Sequence, residues 1–70
     1  MSVDLSVRVN GEPRRLPARV SIAEMLRELG LDPRKVAVER NLEIVPRSSL
    51  GEVSVEDGDA FEIVHFVGGG

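Results

Sequence analysis

Ser21-Ile22-Ala23-Glu24-Met25-Leu26-Arg27-Glu28-Leu29-Gly30 spells a helix with both of its ends specified. Ser21 is an N-cap residue and Glu24 lies three positions on. That is the spacing of a capping box, in which each side chain satisfies a backbone N–H of the other. Val20 and Met25 are spaced as a hydrophobic staple across the cap. Ile22, Met25, Leu26 and Leu29 fall on one stripe of a 3.6-residue period, while Glu24, Arg27 and Glu28 face water. Gly30 stands at C′, and Leu31 is placed to fold back on Leu26 as in a Schellman motif. A helix with a single apolar stripe needs one apolar surface to cover. The flanking segments must supply it.

Upstream, Val3, Leu5, Val7 and Val9 alternate with Asp4, Ser6 and Arg8, the period of a half-buried strand. Asn10-Gly11 comes directly after, a hairpin turn because both residues tolerate φ > 0. The return strand, about Glu12 to Leu16, contains Pro13, which cannot donate to a ladder and so belongs on an edge. Downstream, Asp32-Pro33 opens a turn, and Val36 to Arg40 reads as a strand. Asn41 to Glu43 is a tight connection into a short strand, Ile44-Val45, stopped by Pro46. From Arg47 to Gly51 the signals are mixed, consistent with one 3₁₀ turn around Leu50. Glu56-Asp57-Gly58-Asp59 is a turn, and Phe61 to Val67 is the last and most apolar strand.

The first and last strands are too far apart for a hairpin, yet they are the most apolar, so they are expected side by side at the centre. Running parallel there requires a crossover, and the helix is its vehicle. The expected class is α+β, a β-grasp (ubiquitin-like) fold. It has a mixed four- to five-stranded sheet with one main helix packed on one face. Residues 1–67 form that domain, and residues 68–70 are a flexible glycine tail.

Seventy residues carrying a net charge of −3 make one small domain. There is no cysteine for nucleophilic, redox or metal chemistry, and the single histidine, His65, builds no metal site alone. No apolar stretch approaches the roughly 20 residues of a membrane span, and no signal-peptide pattern opens the chain. A cytoplasmic protein with no membrane partner is expected. The acidic balance argues against a nucleic-acid partner. All basic residues but Lys35 are arginine, scattered rather than clustered, and read as background. So small a chain hardly surrounds a substrate, which leaves carrier, modifier or binding module.

The most informative segment is the last, His65-Phe66-Val67-Gly68-Gly69-Gly70. Three glycines after an apolar strand make a thin arm that reaches about 10 Å when extended. Such an arm carries an α-carboxylate into a tunnel that any side chain would block. Glu62 sets the open face of the last strand, so Val64 and Phe66 share that face as exposed apolar docking groups, while Phe61, Ile63 and His65 turn towards the helix. His65 has no nucleophile or carboxylate partner nearby and reads as structural. The acidic run from Glu52 to Glu62 reads either as a solvated loop or as a complement to a basic partner surface. Arg47 is expected to pin the 47–51 loop through backbone carbonyls, not to form a site.

Val36-Ala37-Val38 running into Asn41, then Ile44-Val45-Pro46-Arg47, Asp57-Gly58-Asp59 and Phe66-Val67-Gly68-Gly69-Gly70, in that order over essentially the whole chain, resemble the ThiS family of thiamine-biosynthesis sulfur carriers. The resemblance implies that an ATP-dependent, E1-like (ThiF-like) adenylyltransferase activates the Gly70 carboxylate. A persulfide on a sulfur-donor protein then displaces AMP to leave a thiocarboxylate, and a ThiG-like thiazole synthase takes the sulfur. It also implies a co-substrate rather than an enzyme. Gly70 is the acceptor, Gly68 and Gly69 are the stalk, and Val67, Phe66 and Val64 bind the partner. The carrier itself holds no cofactor; ATP and the sulfur donor are used by its partners. Three alternatives stay open: the related MoaD carrier of molybdopterin synthase, a ubiquitin-like protein modifier, and an interaction module with an inert tail.

Overall fold

The computed structural model describes residues 4–66. The Asn10-Gly11 turn takes the conformation its residues permit, with φ of 52° and 84°. It joins β1 (Leu5–Val9) to β2 (Glu12–Leu16) in an antiparallel register that sets Val9 opposite Glu12 and Leu5 opposite Leu16. Pro13 lies in β2, which is an outer strand, as its missing N–H demands.

The helix α1 (Ile22–Glu28) carries the expected capping box. The Ser21 hydroxyl accepts from the Glu24 N–H at 3.0 Å, and the Glu24 carboxylate accepts from the Ser21 N–H at 2.9 Å. These bonds, the Ser21 backbone donor first, hold the Glu24 carboxyl below the ordinary carboxylate range. At the other end Leu31 N–H donates to Leu26 O at 2.8 Å and Gly30 N–H to Arg27 O at 2.9 Å. With Gly30 at φ 80°, that is a complete Schellman motif. Ile22, Met25 and Leu26 are fully buried.

A 3₁₀ turn, Pro33–Lys35, capped by Asp32, leads into β3 (Val36–Arg40). The Asp32 carboxyl is lowered to about 2, chiefly by the Arg34 guanidinium and then by the Arg34 backbone N–H. β3 turns through Asn41 and Leu42 into β4 (Glu43–Val45), and a second 3₁₀ turn, Arg47–Ser49, delivers Leu50 to the core. β5 (Ala60–His65) is the last strand; it starts one residue earlier and stops sooner than its apolar run suggests. Five strands are ordered β2-β1-β5-β3-β4, with β1 and β5 parallel at the centre and the other pairs antiparallel. This is the β-grasp architecture. Val7, Val9, Val36, Val38 and Phe61 from the sheet pack with α1, Leu50 and Val55.

Two details are not legible in the sequence. Leu42 adopts φ of 72°, a left-handed conformation that costs a branched residue strain, and its side chain is 87% exposed. The second detail is that the turn asparagines grip β5. Asn10 Oδ1 accepts from Ile63 N–H at 2.7 Å and its Nδ2 donates to Ile63 O at 3.2 Å. Asn41 Oδ1 accepts from Ala60 N–H at 3.0 Å, and Asn41 N–H donates to Ala60 O at 2.8 Å.

Asp59 closes this arrangement. Its buried carboxylate accepts from Arg40 Nε at 2.9 Å, Asn41 Nδ2 at 3.1 Å and its own loop's Glu56 N–H at 2.9 Å. Asp59 is thus no part of a solvated loop, and Arg40 is more than background; charge buried in a small domain must be paired. Asp59→Ala strands these donors and is expected to cost about 2–4 kcal/mol. Asp59→Asn keeps the shape and one acceptor and is expected to cost less. Urea denaturation of the three proteins checks this, and an alanine variant as stable as the parent would refute the role.

Candidate functional site

The end of β5 is where the expected site residues converge. Val64 stands opposite Ala37 of β3 on the face of the sheet away from α1, and is 61% exposed. Phe66 lies just past the last strand residue and is 45% exposed. The structure therefore brings Val64 and Phe66 to one open face, as their period-2 spacing requires. Val67, Gly68, Gly69 and Gly70 lie outside the described residues.

Two residues join this face that the sequence does not single out. Ile44 of β4 is 77% exposed and stands opposite Glu39, diagonal to Ala37. Ile44-Val45 are both apolar, so alternation alone gives no way to tell which of them turns outward. Arg47 is the other. Instead of pinning loop carbonyls, as expected, its guanidinium carbon lies 5.8 Å from the centre of the Phe66 ring, within cation–π range. A shallow hollow lined by Ala37, Ile44, Val45, Pro46 and Arg47 runs between them. It exists because β4 is short: beyond the Val38–Val45 pair the chain turns away at Pro46, leaving Val36 and Ala37 of β3 without a neighbour on that side.

His65 is expected from alternation to face the helix and be covered by it. It is exposed. β1 meets β5 only at Arg8–Ala60 and Val9–Phe61, so the last residues of β5 run on past the end of β1 without a strand on that side.

The acidic run separates into two groups. Asp59 is buried, and Asp57 Oδ1 accepts from Ser6 N–H at 2.7 Å, so both serve the fold. Glu52, Glu56 and Glu62 remain exposed. Glu62 stands opposite Glu39 across β5 and β3, beside Ile44 and Val64, so the open face pairs apolar groups with two carboxylates. Chemically this is an exposed apolar patch flanked by carboxylates. The charge beside it suits a basic partner.

Among the described residues no helix is long and apolar enough to cross a membrane.

The ThiS family matches residues 7–70. A thiazole synthase of Paramagnetospirillum magneticum is 60% identical over 62 residues, which make up 89% of this chain but 19% of that protein. The chain thus spans about a fifth of that relative. The sulfur carrier protein ThiS of Bacillus subtilis is 46% identical over 50 residues, covering 71% of this chain and 76% of that one. A crystal structure of the thiamine biosynthesis protein ThiS from Geobacter metallireducens superposes with a TM-score of 0.79 at 33% identity, covering 94% of this chain and all of that one.

Phe66→Ala removes a half-exposed ring from the end of the sheet, outside the buried core. It is expected to leave the melting temperature within about 2–4 °C of the parent. Binding to the partner that docks on this face is expected to weaken by about 1–3 kcal/mol. A large thermal loss with unchanged affinity would make Phe66 a core residue.

Proposed function

The chain belongs to the ThiS family, and from that membership we propose that it is the sulfur carrier of thiamine biosynthesis, with the α-carboxylate of Gly70 as the sulfur acceptor. The observation that carries this reading is that the family match runs through residue 70 and takes in all three glycines. The likeness to thiazole synthases supports a thiazole synthase as the enzyme that consumes the sulfur.

A carboxylate is a poor electrophile until one of its oxygens becomes part of a leaving group. An E1-like, ATP-dependent partner supplies that: a Gly70 oxygen attacks the α-phosphate, pyrophosphate leaves, and an acyl-adenylate results. The terminal sulfur of a donor's persulfide then attacks the acyl carbon and expels AMP. A thiol cleaves the sulfur–sulfur bond, and the thiocarboxylate remains on Gly70. None of these steps needs a catalytic group on the carrier. It needs a docking face, which Val64, Phe66 and Ile44 supply, and an end thin enough to enter an active site.

Gly68 and Gly69 serve that thinness, and Val67 joins them to the sheet. The half-buried Glu39 and the exposed Glu62 favour a partner with basic groups around its apolar contact, which mainly raises the association rate. The carrier acts in the cytoplasm as a co-substrate and binds no cofactor of its own.

Adding one alanine after Gly70 is expected to abolish thiocarboxylate formation while the melting curve stays unchanged. Intact mass after incubation with ATP, the E1-like enzyme and a sulfur donor reads it as loss of the sulfur-for-oxygen gain. An unchanged yield would overturn the carrier reading, and conjugates of higher mass would replace it with a modifier. Substitutions within the stalk test its thinness. Gly69→Val adds a branched Cβ that excludes φ > 0 and fills space around the backbone. It is expected to lower ATP–pyrophosphate exchange by at least ten-fold, with Gly69→Ala milder. Equal exchange for all three proteins would mean that only the length of the stalk matters.

A further inference from the structure

Three segments meet at the point where the chain leaves the sheet. Phe66 N–H donates to Lys35 O at 2.9 Å, so the end of the 3₁₀ turn Pro33–Lys35 holds its backbone. The Arg47 guanidinium carbon, at 5.8 Å, holds its ring. Arg47 itself stands on a fixed base. Leu50 N–H donates to Arg47 O at 3.2 Å, Leu50 is buried, and Leu50 O accepts from Ala23 N–H of α1 at 2.8 Å. Among the described residues the guanidinium enters no ion pair. The ring is its partner.

We propose that Arg47 is a positioning residue: stacked on Phe66, it holds that residue in the pose in which the open face meets the adenylating partner. The inference rests on the sulfur-carrier reading for its consequence, but not for its geometry. The physical ground is that Phe66 lies just past the last strand residue, where the bond to Lys35 O holds its backbone but leaves its ring to be fixed by a side chain. Holding that residue before docking lowers the ordering cost at binding. A guanidinium is suited to the task because it is planar, stacks on an aromatic face and keeps its charge at every working pH. Phe66 remains 45% exposed, so a partner still reaches it.

A double-mutant cycle separates positioning from direct contact. Arg47→Ala is expected to lower kcat/KM for ATP–pyrophosphate exchange with the E1-like enzyme by about two- to five-fold, the range of an exposed cation–π contact, mostly through the carrier's KM. Arg47→Lys, which keeps a cation, is expected to recover part of the loss. In a Phe66→Leu background Arg47→Ala is expected to have no further effect. A loss of the same size in both backgrounds would mean that Arg47 touches the partner directly, and would overturn the proposal. In the free protein, ¹⁵N relaxation is expected to show a lower order parameter at the Phe66 amide in Arg47→Ala than in the parent. Equal order parameters would also overturn it. If the parent is not adenylated at all, the sulfur-carrier reading fails, while the relaxation measurement still decides whether Arg47 orders Phe66.

Discussion

The structure depends on one strand being gripped from both sides. β5 lies between β1, with which it runs parallel, and β3, with which it runs antiparallel. A parallel pair has no hairpin to join it, so its closure entropy must be met by contacts far apart in sequence. Only Arg8–Ala60 and Val9–Phe61 are in register in that pair. Asn10 and Asn41 extend the grip: each sits in a left-handed turn at the end of a neighbouring strand, and each turns its amide onto the β5 backbone. Asp59, at the foot of the strand, then ties β3 to the loop before β5. A turn residue thus does two jobs, reversing one hairpin and holding the strand beside it.

This arrangement separates the two ends of β5. At its start the side chains are buried or bonded: Asp59 in its network, Phe61 in the core. At its finish β1 has ended, β4 has turned away at Pro46, and Val64, His65 and Phe66 stand open. The first part of the strand anchors the domain, and the last described part offers an apolar surface. For a protein whose proposed chemistry happens in other enzymes' active sites, that division is sufficient. A carrier needs a fixed base, a surface to be recognised by, and an end that enters.

Local rules are kept on the helix side and broken on the other. Capping box, Schellman motif, apolar stripe and paired buried charge all agree. On the open side, Glu39 faces Glu62 across the strands, where like charges repel, and Ile44 and Val64 leave apolar surface in water. Leu42, at the tip of the β3–β4 hairpin, holds a conformation better suited to glycine. Natural sequences tend to depart from local consistency where function makes demands that stability does not.

The sequence by itself determined most local elements of the fold. The helix, its two caps, the Asn10-Gly11 hairpin and the edge placement of Pro13 were legible because each rests on residues within a few positions of one another. The parallel centre was legible as well, since the two most apolar strands had one helix available to cross between them. The exposure of Val64 and Phe66 came from period 2 once Glu62 set the face. What only the tertiary structure decided were contacts between segments distant in the chain. Asp59 looks like one more acid in a solvated loop until Arg40 and Asn41, nearly twenty residues earlier, are brought against it. Arg47 looks like a loop arginine until the last strand lays Phe66 beneath it. His65 alternates towards the helix in the sequence, yet it stands exposed, because what covers that end of β5 is set by elements distant in the chain. Periodicity reports the face on which a side chain stands. Only packing decides what, if anything, stands opposite.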